Sequence, residues 1–371
     1  MPQTQFEDED GTLAMLRDSV AAFAERFPGA ERLRSRRASN HDLDREVWAA
    51  MAEAGWTGLL LPEDLGGAGL GCREQAVLSE SLGRALISEP LVQLAVLSGA
   101  LLADAPAGAE RSRLAQGLAD GSLIVSPVWQ DLDGTEADMV VTQTGDQLRL
   151  TGKAQLVSAA ASASDFLVRA ALKGEPLLVS VPAAGASVAQ RPTVDGAALG
   201  SVTLDTLVPA ANVIARGERV AALFDRAVEL ARLALAAELA GLASRALEIT
   251  VDYTKQRVQF GKPIASFQAL QHRMVDMWGE AEFACCAVVN AADALAEAPD
   301  RAASLAVLAA KARAGDAATS VTRKAIQLHG AMGFTDECDI GLYMKRAVAL
   351  NATLGNPESL RLHFLALERA A

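Results

Sequence analysis

From residue 11 to about 120, apolar residues recur at three- and four-residue spacing, as at Val47, Met51 and Ala54, which predicts amphipathic helices. Leu61-Pro-Glu-Asp-Leu-Gly-Gly-Ala-Gly69 interrupts them, because Gly66, Gly67 and Gly69 continue a helix only at a cost. Helix resumes over Arg73–Ala85 and is expected through Leu91–Leu118. Around Leu123 the period changes. Gln147 to Thr151 alternate polar and apolar as a half-buried strand does, and further strands fit Phe166–Ala170, Leu177–Val181 and Ser201–Leu204. Turn chemistry at Gly134, Gly145, Gly174 and Gly196 separates them. After Gly217 the chain is helical to its end. Phe267, Leu270, Met274, Met277, Ala281, Cys285 and Val288 form one stripe, read as a core-facing seam of a bundle. The expected organisation is an N-terminal helical domain (1–121), a small middle β domain (122–216) and a C-terminal helical bundle (217–371), mainly α with a central β domain.

Composition narrows the function classes. Hydrophobic residues make up 51% and aromatics only 4%, which favours closely packed helices over aromatic binding faces. A net charge of -12 excludes nucleic acid or an anionic membrane as the main partner. The most apolar stretch, Leu230–Ile249, carries Arg232, Glu238 and Arg245, so it reads as a buried helix and not a membrane span. The acidic start MPQTQFEDED does not resemble an export signal, and a soluble, cytoplasmic protein is expected. Cys72, Cys285, Cys286 and Cys338 and the four histidines have no metal-ligand spacing. No metal is expected, and the cysteines are expected to be reduced and mostly buried.

Two segments carry specific chemistry: Tyr253-Thr-Lys-Gln-Arg-Val-Gln-Phe-Gly-Lys-Pro-Ile-Ala-Ser-Phe-Gln-Ala-Leu-Gln-His272 and Gln327-Leu-His-Gly-Ala-Met-Gly-Phe-Thr-Asp-Glu337. A guanidinium such as Arg257 can hold phosphate oxygens in two places, and glycines such as Gly261, Gly330 and Gly333 let backbone N–H groups approach an anion. Alone, Arg257 would be a surface ion pair and Gly330 a helix stop. Together, these segments resemble the paired flavin motifs of the FAD-dependent acyl-CoA dehydrogenases. Leu61–Gly69 and Glu80-Ser-Leu-Gly-Arg84 are similar to the amino-terminal helical domain of that family, so the likeness covers nearly the whole chain.

The resemblance implies a small β-barrel between two helical domains, the last a four-helix bundle. It also implies FAD as cofactor, with Arg257, Phe260, Gln268, Ser158 and the stretch Gln327, Leu328, His329, Gly330, Ala331 at the cofactor, and Arg232 and Gly355 at the acyl-CoA substrate. Arg257 and the Gln327 stretch reach the flavin across the dimer interface in the family, so an obligate dimer is implied, each flavin needing both chains. The implied reaction removes the α proton of an acyl thioester to a glutamate while the β hydrogen passes to the flavin. The two positions that carry that glutamate are here Leu354, before Gly355, and Ala231, which lies 26 residues before Arg257 and precedes Arg232. Neither can accept a proton. The family's Thr-Glu-Pro and Trp-Ile-Thr segments become Ser126-Pro-Val-Trp-Gln130 and Gln155-Leu-Val-Ser158. These departures resemble the heterotetrameric subgroup acting on steroid side chains and dicarboxylic acids, including the small subunit of pimeloyl-CoA dehydrogenase. Two readings stay open. In one the chain is active with a substitute carboxylate: Glu229, one turn from Arg232, or Asp336, Glu337 or Glu358. In the other it is a flavin-sharing structural subunit of an α2β2 assembly whose partner supplies the base. A homo-oligomer fits the first reading, and the family implies an electron-transferring flavoprotein as acceptor. A helical binding protein without flavin fits the two motifs poorly.

Overall fold

The computed structural model describes residues 1–38 and 41–370. By internal contacts the chain forms two compact units: Met1–Ser35 with Cys72–Ser88 and Arg232–Ala371, and Arg36–Gly71 with Glu89–Ala231.

In chain order the N-terminal elements are α1 (Thr12–Arg26), α2 (Gly29–Ala38), α3 (Arg45–Glu53), α4 (Cys72–Ala85), α5 (Ser98–Ala103) and α6 (Ala109–Ala119). Asp44 caps α3, its carboxylate accepting the Glu46 and Val47 amides. α3 ends at Glu53, so Ala54 is exposed at the cap and only Val47 and Met51 of the predicted stripe are buried. The helix expected through Leu91–Leu118 is broken: a π-helical stretch Val92–Leu97 runs into α5, and residues 104–108, with Pro106, separate α5 from α6. In the glycine-rich loop, Gly66 and Gly69 have φ of 85° and 63°, and a Cβ on Gly67 would lie 2.0 Å from the Leu61 carbonyl oxygen.

The β domain comprises β1 (Val125–Val128), β2 (Met139–Thr144), β3 (Gln147–Ser158), β4 (Asp165–Leu172), β5 (Glu175–Pro182), β6 (Ala186–Pro192), β7 (Ala198–Pro209) and β8 (Val213–Arg216). They form one sheet in the order β6-β7-β3-β2-β4-β5-β8, with β1 parallel to β4. β6 and β8 end that path without pairing to each other, so the barrel is open at this seam. The predicted alternation holds: Leu148 and Leu150 are buried, Gln147 and Arg149 exposed. The buried face of the sheet collects Val141, Leu148, Leu150, Phe166, Val168, Val179, Val202 and Leu204. All four glycines assigned to turns have positive φ.

Gly217, at φ 66°, precedes α7 (Glu218–Gln256), whose 39 residues span about 58 Å. A hairpin follows, β9 (Val258–Gln259) paired with β10 (Lys262–Pro263), then α8 (Gln268–Glu297), α9 (Arg301–His329), α10 (Ile340–Ala352) and α11 (Pro357–Arg369). α9 is central, packing on α8, α10 and α11. Asp300 caps its N-terminus, and Gly330 ends it at φ 62°. In α8 the predicted seam holds for Met277, Ala281, Cys285 and Val288, which are buried. Phe267, Leu270 and Met274 are only half-buried, because residues 268–276 are exposed on most sides. Of the four free cysteines, Cys72 and Cys285 are buried, Cys338 is half-buried and Cys286 is exposed. Mostly buried thiols are thus true for two of four. No helix among the described residues is long and apolar enough to cross a membrane.

Candidate active site

α4 and α7 approach closely because both are glycine at the crossing. A Cβ on Gly83 would lie 2.2 Å from the Glu238 carbonyl oxygen, and one on Gly241 would lie 2.1 Å from that of Glu80. Ionic groups are buried beside this crossing. Glu238 holds Arg346 of α10 through Oε1 at 2.9 and 2.7 Å, both side chains under 8% exposed. Glu80 accepts the Thr4 amide at 3.2 Å on both carboxylate oxygens and the Thr4 hydroxyl on one. Burial pushes the Glu80 carboxyl up, against those hydrogen bonds and the charges of Arg84 and Arg17.

α10 ends at Ala352, just before Leu354, the first position where the resemblance implies a base. Thr353 donates its amide to the Leu350 carbonyl and its hydroxyl to that of Ala349, and Leu354 then turns left-handed at φ 55°, followed by Gly355 at φ 108°. For leucine that conformation costs of order 1–3 kcal/mol, and the surrounding contacts must hold it. Arg232 donates Nε to the Leu354 carbonyl oxygen at 2.9 Å. Lys311, completely buried, donates Nζ to the Leu350 carbonyl at 3.0 Å and to that of Asn351 at 3.5 Å. The turn at Leu354, one of the two positions where the resemblance implies a base, is therefore held from α7 and α9. The second base position, Ala231, is completely buried.

None of the alternative carboxylates is poised as a base. Glu229 accepts Arg226 at 3.1 Å, three residues back on the same helix, and is a member of that ion pair. Asp336, Glu337 and Glu358 are exposed.

The hairpin after α7 turns on Phe260 and Gly261, both at positive φ (52° and 78°), the geometry of a tight type I′ connection. Gly261 thus serves the turn, since a Cβ there would meet nothing within 4 Å. The guanidinium of Arg257 and the amides of Gln268 and Gln327 are all exposed, and none forms a side-chain hydrogen bond or ion pair among the described residues. Leu328 and His329 point into the bundle instead. His329 stacks on Tyr253 with ring centroids 4.3 Å apart, and its Nδ1 lies 2.8 Å from the Ala325 carbonyl, which fixes the proton on Nδ1. Burial holds its pKa below the ordinary histidine value. Gly330 and Ala331 are exposed, and Gly333 packs so tightly that its Cβ would lie 2.8 Å from the Ile326 carbonyl.

In the β domain, β3 bulges between Ala154 and Val157, which re-aims Leu156 at φ 58° and leads into Ser158. The Ser158 carbonyl accepts the Ser126 hydroxyl at 3.0 Å, joining the two departed segments, while its own hydroxyl has no partner among the described residues. The Trp129 ring packs on Phe224 of α7 at 5.3 Å, with Arg169 on Phe224 at 5.1 Å. Sequence reasoning missed Lys311 and Arg346, and read Glu238 only as a charge within an apolar helix. Their signal was a charge on an apolar helical stripe, as Lys311 is among Val307, Leu308, Ala314 and Ala318.

Residues 221–366 match the family described as acyl-CoA dehydrogenase, C-terminal domain, and residues 11–122 its N-terminal domain. The chain is 33% identical to acyl-CoA dehydrogenase IpdE2 of Mycobacterium tuberculosis over 93% of its own length and 94% of that protein's. Among solved structures, a variant of the steroid ACAD Tcur3481-Tcur3483 superposes with TM-score 0.85 at 31% identity, covering 96% of this chain and 98% of that one. A chain of the ChsE4-ChsE5 complex from Mycobacterium tuberculosis gives 0.87 at 26%, covering 98% of each. The expected helical, β and helical order is likewise present, and the chain belongs to the acyl-CoA dehydrogenase family, whose members are FAD-dependent oxidoreductases.

Proposed function

We propose that this chain is the FAD-binding subunit of a hetero-oligomeric acyl-CoA dehydrogenase, and that a second, similar chain supplies the catalytic base. The observation that carries the reading is the turn at Leu354: it is held by Arg232 and Lys311, yet it presents a side chain that cannot take a proton. The residues present fit the cofactor. Arg257, Gln268 and Gln327 form a donor set without internal partners, suited to a pyrophosphate and to flavin heteroatoms, and the unpartnered Ser158 hydroxyl adds a donor in the β domain. When bound, FAD supplies the hydride acceptor for α,β-dehydrogenation of the thioester.

Around that donor set the surface is unusually apolar. Phe260 is 92% exposed, Phe334 81%, and Val258 and Met332 about half. Such side chains on flavin motifs support burial against another subunit. The likeness to a steroid ACAD and to the two-component ChsE4-ChsE5 complex supports an α2β2 partnership and a steroid-derived acyl-CoA as substrate. By the family resemblance, the electron acceptor is an electron-transferring flavoprotein. The self-sufficient reading is less well supported, because its best carboxylate, Glu229, is paired with Arg226.

The test is to purify the chain alone and with its partner chain, and to record flavin absorbance and acyl-CoA oxidation with an artificial acceptor. Activity is expected only for the pair. A yellow, active assembly of this chain alone would overturn the proposal.

A further inference from the structure

Among the described residues, Lys311 is the one lysine among the largest completely buried side chains, and its observed hydrogen-bond partners are carbonyl oxygens. It projects from α9 onto the last turn of α10, where the Leu350 carbonyl also accepts the Thr353 amide. A protonated amine there adds a donor to carbonyls of the helix's last turn, where intrahelical donors run out. The next residue, Leu354, holds a left-handed conformation and is tied on its far side by Arg232. The two cations thus bracket residues 350–354 from α9 and from α7.

We propose that Lys311 is a positioning residue for the Thr353–Gly355 turn: its ammonium anchors the carbonyl end of α10, and loss of its proton loosens the turn. The bearing on catalysis rests on the reading that this turn faces the acyl group. The anchoring itself does not.

Charge and burial make the ammonium responsive near neutrality. Burial and the Arg232 guanidinium pull the amine down to about 7, and Glu238 opposes them. Glu238 is held by Arg346, the charged side chain that α10 brings to this cluster. From α11, Leu360 and Ser359 lie against Gly355 of this turn, and Pro357 with Asn351 of α10 closes on Gly315. No charged side chain of α8 or α11 acts on Lys311 among the described residues. A charge-assisted hydrogen bond to a carbonyl is roughly twice as strong as a neutral one, so deprotonation weakens the anchor without breaking the fold.

The test is hydrogen exchange on the full chain from pH 6 to 9, with rates divided by the intrinsic chemical rate at each pH. Protection of the Thr353 and Leu354 amides is expected to fall about tenfold across that range, while amides of β3 and β7 stay flat. Lys311→Arg, whose guanidinium does not titrate here, is expected to abolish the pH dependence, and Lys311→Met to leave the turn loose at every pH. A flat wild-type profile, or the same fall in Lys311→Arg, would overturn the proposal. If the arginine variant does not fold, the wild-type profile decides: a fall confined to residues 351–355 supports it, and a fall spread over the bundle refutes it. None of these outcomes depends on flavin or turnover.

Discussion

The Arg232 guanidinium donates through Nε to the carbonyl oxygen of Leu354 at 2.9 Å, tying α7 to the residue at the family's base position. The turn is held there although a leucine side chain cannot take a proton. Leu354→Glu is therefore expected to raise acyl-CoA oxidation by the flavin-loaded chain by roughly 10²- to 10⁴-fold over wild type, the usual contribution of a general base. An unchanged rate in the presence of bound flavin would place the acyl group elsewhere.

Arg257 has an exposed guanidinium without an internal partner. Replacing it with alanine removes a charge-assisted contact worth about 1.5–3 kcal/mol, so FAD affinity should fall roughly 10- to 100-fold with little change in thermal stability. Flavin fluorescence on titration measures it. Arg257→Lys should recover only part, because an ammonium lacks the fork.

Phe260 is 92% exposed at the tip of its hairpin. Phe260→Ser should leave the fold of the isolated chain intact and weaken subunit association, read by analytical ultracentrifugation across a dilution series. Full association in the variant would remove this residue from the interface.

Gly83 admits the Glu238 carbonyl to within 2.2 Å of where a Cβ would stand. The obstacle is backbone and cannot rotate away, so Gly83→Ala should destabilise by about 1–3 kcal/mol or more, seen as a lower urea midpoint.

Burial raises the Glu80 carboxyl above its ordinary value of 4.5. Between 4.5 and the raised value the native state binds a proton that the unfolded chain has released. The contribution is therefore full below pH 4.5 and is lost as pH rises through the native value. Glu80→Gln should flatten the decline of stability with rising pH in that window, measured by urea unfolding from pH 4 to 8 against wild type. A parallel pair of curves would show that Glu80 ionises normally.

Much of the fold was legible along the chain because it depends on local periodicity. The strand alternation at Gln147–Thr151 and the turn glycines needed only neighbouring residues. The α8 seam was legible as a helical stripe, but its first half lies largely uncovered. The stripe records which face is apolar, whereas burial depends on which element lies opposite. The same limit hid the function of glycine: Gly83 and Gly241 look alike to Gly261 in sequence, but two are needed for a helix crossing and one for a hairpin turn.

The sequence alone therefore determined the family and the order of elements, since each is fixed by residue identity at known spacing. Only the tertiary structure decided that the turn at Leu354 is held. Lys311, Arg232 and Leu354 are far apart in sequence, and their hydrogen bonds arise where α9, α7 and the end of α10 converge. It likewise decided that Glu229 is occupied by Arg226, and that Leu328 and His329 face the core, because a side chain's partner is set by packing and not by its position in a motif.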